Sequence, residues 1–395
     1  DQDVVNAFAA PGGVIALYSG LILAADDENE VAGVLAHEIA HITQLHLYRA
    51  VEHQKAMTIP IALAMLAIAL AGGGDGEAIS GALMSGQAAA AQASINYTRQ
   101  NEYEADRIGI STLSRAGYDP AGMGEFFEKM GRISRSMGEG PAEFLRTHPL
   151  SVSRVAEAQN RAANMPPVER SEGRDFYIMQ ARLRALSDNS PDEVLDWFDH
   201  RTSRSDISQA ENDAIYYGRA IALQRKGEYE EARKLLNNLI DREPHVAYEL
   251  QLADLELDVN NDARAVDRLA GLYNNFPGNH AIATYYARAL LKNQDPEQAD
   301  EAAVILRKQL QRHKNDPTLY ELYARSANIS GDRIRAREAI AESYYLRGGI
   351  HEAAMQLQEL SREEDLDYYQ RARITARIEE LRLELAKMGL EEVED

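Results

Sequence analysis

Three patterns of apolar and polar positions succeed one another along the chain. Short apolar runs at Asp3–Ala9 and Gly13–Ser19 flank Pro11-Gly12-Gly13, a spacing that predicts two strands joined by a tight turn. The edge of such a pair can accept an extended peptide by backbone pairing, and a structural hairpin covering the core explains it equally well. Leu21-Ile22-Leu23 leads into a helix predicted from about Glu28 to Tyr48, opened by Asp27 and Glu30 as a capping box and interrupted only by Gly33. Met57–Gly72 is then almost purely apolar over 16 residues, short of the roughly 20 that a membrane-crossing helix needs. Gly72-Gly73-Gly74-Asp75-Gly76 breaks it, and Ala78–Ala93 follows, rich in Ala, Gly and Ser. This insertion reads as a buried helical hairpin or as a lid over a cleft. The Gly hinge favours a lid that touches lipid or unfolded substrate through residues 57–93.

From about Phe176 the pattern changes to helices with Ala, Leu and Tyr at fixed places. Residues 214–244 give the clearest unit, with Tyr217, Ala220, Leu223, Gly227, Tyr229, Ala232 and Leu236 ahead of Pro244. This is close to the 34-residue tetratricopeptide pattern, and Pro277, Pro317, Ala336, Gly348 and Ala353 continue it loosely. A helix pair of this kind cannot bury its apolar face alone, so neighbours stack into a solenoid with a concave groove. Met165-Pro166-Pro167 to Gly173 is the expected boundary. The predicted fold is mainly α: an α+β domain with a small strand region over 1–170, then an all-α tetratricopeptide-repeat solenoid over 175–395.

Composition narrows the partners. At 395 residues two domains are the natural expectation, and the net charge of −21 excludes nucleic acid and anionic membrane surfaces as main partners. The charge is −8 over residues 1–170 and −13 over residues 171–395, so neither half hides a large basic patch. With no cysteine, any metal must be held by His and carboxylate. The chain starts at Asp1 without an initiator Met or a signal-like segment, which reads as a mature or trimmed form lacking part of its first domain.

Within the first predicted helix stands His37-Glu38-Ile39-Ala40-His41. Four residues apart, both imidazoles project from one face at metal-chelating distance. Glu38, about 100° round from His37, reaches a water beside the ion without binding the ion itself. This is the arrangement of zinc proteases: two ligands and a proton acceptor. Asn101-Glu102-Tyr103-Glu104-Ala105-Asp106-Arg107 lies in a second helical pattern. Glu102 and Asp106 share a face, so one can be the third ligand while the other buttresses a ligand histidine; Glu104 points elsewhere.

These two motifs together resemble the membrane-linked gluzincin family, which includes the prenyl-protein endopeptidases and the bacterial heat-shock membrane proteases. The resemblance covers roughly residues 3 to 160. It extends to Asn6-Ala7-Phe8-Ala9 before the turn and to Arg146-Thr147-His148-Pro149 followed by Arg154. It implies a zinc site with His37, His41 and Glu102 as ligands, Glu38 as the catalytic base and Asp106 supporting a ligand. The transmembrane helices of that family are absent here, a departure that fits a branch without them. A gluzincin-like domain fused to tetratricopeptide repeats resembles the periplasmic β-barrel assembly-enhancing proteases of Gram-negative bacteria. That likeness implies a periplasmic location and misassembled outer-membrane proteins as substrates. It also implies outer-membrane assembly machinery as the partner of the repeats.

Of ten histidines, His46 and His53 are expected to be solvated, and five fall in the second half. His148 sits in the first domain on a turn that Pro149 biases towards extended backbone. It reads as a capping residue, a substrate-facing group, or a fourth zinc ligand that keeps the enzyme latent. The competing class of function is a chaperone-like adaptor whose repeats bind clients around a structural zinc. Glu38 discriminates against it, since a structural site has no use for a general base.

Overall fold

The structure, a computed structural model, describes residues 4–10, 12–53, 55, 76–136, 143–171, 173–187, 189–202 and 207–389. Its contacts divide the chain into a first unit, residues 1–222, and a second, residues 223–395.

In the first unit, β1 (Ala7–Ala10) and β2 (Val14–Leu17) pair antiparallel, with Ala7 opposite Leu17 and Ala10 opposite Val14. Gly12 and Gly13 make the turn at φ of 88° and 83°, values that favour glycine. There follow α1 (Ser19–Ala24), α2 (Glu28–Thr43), α3 (residues 46–53), α4 (Gly76–Arg115) and α5 (Ala121–Ser136). α6 (Glu143–Thr147) and α7 (Val152–Ala163) follow, α7 packing on α4 and α5. Leu21, Val34, Ile110, Met123, Phe126 and Phe144 form the centre of one apolar core. α8 (Arg174–Ala185), α9 (Pro191–Thr202) and α10 (Gln209–Lys226) follow, the last crossing the division between the units.

The first predicted helix differs from expectation in one respect. It ends at Thr43, and Leu45 takes a left-handed backbone (φ 54°) before α3 begins. Residues 56–75 and the side chains of 76–91 lie outside the described residues, and the lid reading of 57–93 falls largely on them. Among the described residues no helix is long and apolar enough to cross a membrane.

The stretch after α7 is pinned back onto earlier elements of the same unit. Arg170 pairs with Asp27 (2.9 Å), Asp119 (2.6 Å) and Glu125 (2.8 Å). Gln180 on α8 donates to the carbonyls of Ile22 (3.0 Å) and Ala25 (2.8 Å).

The second unit is wholly helical among its described residues: α11 (Tyr229–Arg242), α12 (Val246–Asp258), α13 (Asp262–Asn275), α14 (His280–Leu290), α15 (Pro296–Arg312), α16 (Pro317–Ile329), α17 (Arg333–Leu346), α18 (Ile350–Ser361) and α19 (Tyr368–Lys387). Each helix packs on the next, and α14 also touches α12 and α16, the nearest-neighbour pattern of a helical repeat. In the turns after α10, α12, α14 and α16 left-handed residues recur at Gly227, Asn260, Gln294 and Gly331, one every 33 to 37 residues; Gly348 and Gly389 are left-handed outside that spacing. Pro296 and Pro317 open their helices behind the caps Asp295 and Asp316. Of the positions picked out by the repeat pattern, the apolar ones Tyr217, Ala220, Ala232, Leu236 and Ala353 are buried, whereas Gly227, Pro244, Pro277 and Gly348 are exposed. The fold is mainly α, with a single two-stranded sheet among the described residues ahead of a helical repeat region.

Candidate metal centre

The start of α2 is fixed by polar contacts that hold the whole helix in place. Asp27 accepts from the backbone N–H of Asn29 (2.9 Å) and Glu30 (3.1 Å), capping two of the groups a helix start leaves unpaired. Glu30 is buried, and burial pushes its carboxyl up despite the Lys129 ammonium 2.5 Å away. α4 crosses α2 closely because Gly109 lies at the crossing. A Cβ there would stand 2.8 Å from Met123 Cε and 3.1 Å from the backbone nitrogen of His37. That approach brings the carboxylates of α4 under the imidazoles of α2.

The structure brings His37, His41, Glu102 and His148 together, with one ligand atom from each inside a 4.8 Å cluster. His37 Nε2 lies 3.0 Å from His41 Nε2 and 3.2 Å from His148 Nδ1. Glu102 reaches His41 Nε2 at 3.3 Å and His148 Nδ1 at 3.2 Å. Glu38 sits at the edge of this cluster, its Oε1 3.3 Å from His148 Nε2. Asp106 Oδ1 lies 3.0 Å from His37 Nδ1, the ring nitrogen turned away from the cluster. Glu104 turns outward to His46 and Arg49.

Arg154, only 1% exposed, ties the carboxylates together. It reaches Asp106 through Nε (2.7 Å) and Nη2 (2.8 Å), and Glu102 through Nη1 (2.9 Å). The same Nη1 donates to the Pro149 carbonyl (2.8 Å), and the guanidinium lies 5.1 Å from the centroid of the Phe127 ring. Burial opposes charge on Glu102, but contacts from His148, His37 and His41 outweigh it and hold its carboxyl well below the usual range. Burial likewise opposes charge on His37, yet Asp106 and Glu102 push it up to about 9. Burial depresses His41, with Glu102 opposing.

This donor set suits a divalent transition metal. His37 Nε2 faces two other ring nitrogens at once, and one proton cannot satisfy both contacts. Glu38 Oε1 is buried and accepts no well-formed hydrogen bond despite its closeness to His148. Imidazole nitrogen and carboxylate oxygen are the donors that borderline divalent ions prefer.

Residues 1–162 match Peptidase family M48. Over 386 residues the chain is 36% identical to the β-barrel assembly-enhancing protease of Escherichia coli K12, an alignment spanning 97% of this chain and 77% of that protein. The chain belongs to this family. The β-barrel assembly-enhancing protease of Yersinia pestis is 34% identical over 387 residues, 97% of this chain and 78% of its own. The mitochondrial metalloendopeptidase OMA1 of Saccharomyces cerevisiae is 34% identical over 153 residues, 38% of this chain and 41% of its own. As a member of the family, the chain is a metalloendopeptidase.

Two features of this metalloendopeptidase escape sequence reasoning. His46, expected to be solvated, is only 3% exposed, because the break at Leu45 folds it back onto His41. The clamp made by Arg154 is the second, since the sequence shows only an arginine after a T-H-P turn. His53, by contrast, is half-buried and stacks on Tyr97 at 4.3 Å.

A cleft of about 800 Å³ opens beside the cluster, lined by Phe8, Ala9, His41, Leu45, Val51 and Asn101 among others. Asn6 O accepts from Tyr18 N–H (3.0 Å), which sets the alternation of the ladder. By that alternation Phe8 and Ala10 face β2, while the backbone groups of Ala7 and Ala9 turn to the other edge. Asn6 Oδ1 takes the Ala7 N–H (2.9 Å), and Ala9 borders the cleft.

Proposed function

We propose that His37, His41 and Glu102 hold a zinc ion, and that the chain hydrolyses peptide bonds of misassembled or unfolded proteins with Glu38 as acid and base. The observation that carries the reading is the buried cluster of imidazoles and carboxylate with Glu38 at its edge. Zinc, when bound, supplies a Lewis acid for the scissile carbonyl and acidifies the attacking water. Glu38 takes the proton of that water and returns it to the leaving amine. Asp106 holds His37 by its outer nitrogen, and Arg154 keeps Asp106 and Glu102 ionised together. A substrate strand lying along Ala9 of β1 pairs by backbone hydrogen bonds and passes the cluster in extended form.

By likeness to the β-barrel assembly-enhancing proteases, the clients are outer-membrane β-barrel proteins and the site of action is the periplasm. The repeats then serve to dock clients or the assembly machinery. His148 is read as a fourth ligand that closes the centre in a latent state. The reading is supported by its Nδ1 lying 3.2 Å from Glu102 within the cluster and its Nε2 lying 3.3 Å from Glu38, close to the base without a well-formed hydrogen bond.

Metal analysis with a casein-cleavage assay tests the assignment. Glu38→Gln is expected to keep about one zinc per chain while cleavage falls by about 10²–10⁴-fold. Glu102→Ala is expected to lose zinc and activity together, because three protein ligands are the usual number for catalytic zinc. Activity surviving in Glu38→Gln would remove Glu38 from its role. His148→Ala is expected to retain zinc and to cleave faster than wild type without stimulus. A His148→Ala chain that is inactive with zinc bound would recast His148 as a transition-state stabiliser and end the latency reading.

A further inference from the structure

The two ligand histidines of α2 are supported differently. Asp106 Oδ1 stands 3.0 Å from the outer nitrogen of His37, close but off the line of a well-formed hydrogen bond. Among the described residues no carboxylate reaches the outer nitrogen of His41; there stands His46, whose Nδ1 is 2.9 Å from His41 Nδ1. His46 Nε2 lies 3.2 Å from Glu104 Oε2, and Arg49 Nη1 lies 3.0 Å from that same oxygen.

We propose that His46 is a positioning residue of the metal centre, relaying the orienting charge of Glu104 to His41. This rests on the reading of the centre given above, and one assignment of protons satisfies every contact. His41 turns Nε2 towards the other ligands, so a neutral His41 that binds metal carries its proton on Nδ1. That proton is donated to His46 Nδ1. His46 therefore carries its own proton on Nε2 and donates it to Glu104, which Arg49 keeps ionised. The line Glu104–His46–His41 does at one remove what Asp106 does for His37.

The backbone is arranged for this contact. In an unbroken helix, residue 46 would point about 140° away from residue 41. The end of α2 at Thr43 and the left-handed turn at Leu45 bring it back instead. Leu45 itself is 61% exposed, so its unusual backbone is not explained by packing of its own side chain.

The test is zinc affinity of the full chain, measured by competition with a chromophoric chelator, alongside the visible spectrum of the cobalt-substituted protein. His46→Phe fills the volume but removes the acceptor, and is expected to weaken zinc by about 10–100-fold and shift the cobalt bands. His46→Asn places Oδ1 where Nδ1 stood but no longer reaches Glu104, and is expected to weaken zinc only as far as Glu104→Ala does, about 3- to 10-fold, between wild type and His46→Phe. Glu104→Ala is expected to weaken binding by about 3- to 10-fold. Wild-type affinity in His46→Phe, or an equal loss in His46→Asn, would overturn the relay and leave the metal assignment standing. Should His46→Phe fail to fold, Glu104→Ala decides: undiminished affinity there overturns the relay. A wild-type chain that takes up no zinc would overturn the metal reading itself.

Discussion

The two units each have an apolar core but bury charge to different extents. Around α2 the first unit encloses Glu30, His37, Glu38, Glu102, Asp106 and Arg154, each less than a tenth exposed. The second unit fills its core with residues such as Ala253, Leu269, Ala287 and Leu306, and leaves its charges as Arg–Glu pairs nearer the surface, such as Arg373–Glu338 and Arg377–Glu342. Exposed pairs of that sort contribute about 0–1 kcal/mol each. Buried charges cost several kcal/mol to desolvate unless every partner is present. The first unit is therefore stable as a network and the second as a stack of independent contacts. The difference marks where chemistry is done, since a core built for stability alone has no use for ionised groups.

Substitutions in the two cores separate these modes. Arg154→Met leaves Asp106 and Glu102 without their shared cation, and is expected to destabilise the first unit by about 3–5 kcal/mol in denaturant titration. Zinc affinity should fall with it, because Asp106 no longer holds His37 in line. Unchanged stability would show that the network tolerates a missing member. Leu269→Ala opens a cavity at a fully buried site of the second unit. A loss of about 2–5 kcal/mol confined to that unit is expected, with zinc uptake and casein cleavage unaltered. Zinc binding that weakens in Leu269→Ala would mean that the two cores are coupled.

The mildest perturbation is a protease. We propose that residues 1–170 and 175–395 are separately folded, on the change from metal motif to repeat periodicity at a proline-rich stretch. Limited digestion is expected to nick between Pro166 and Gly173 and to leave two protected fragments. The anchoring of Arg170 and Gln180 to the first unit makes this a demanding test, and a single protected species would count against the boundary.

What could be read in advance follows from how local each feature is. The shared face of His37 and His41 needs only the helical period, and Glu102 with Asp106 only the same period on α4. His148 stood out because Pro149 constrains the backbone before it. His46 could not be foreseen, since its burial depends on a helix break at Leu45 that no Gly or Pro announces. Arg154 likewise acts on residues 48 and 52 positions upstream, a distance that only packing can close. The repeats were visible as a period, yet two of the four turns carry Asn260 and Gln294 in place of glycine. Both are left-handed all the same, which a search for Gly alone would miss.

Those recurring turns have an evolutionary and practical consequence. Gly227, Asn260, Gln294 and Gly331 supply equivalent joints, so chain cut at one can be rejoined at another with matching backbone direction. Whole repeats can then be duplicated or deleted by recombination, lengthening or shortening the docking array in steps of about 34 residues. A lineage can then change the length of its repeat surface while the cluster around His37 and Glu102 stays where it is.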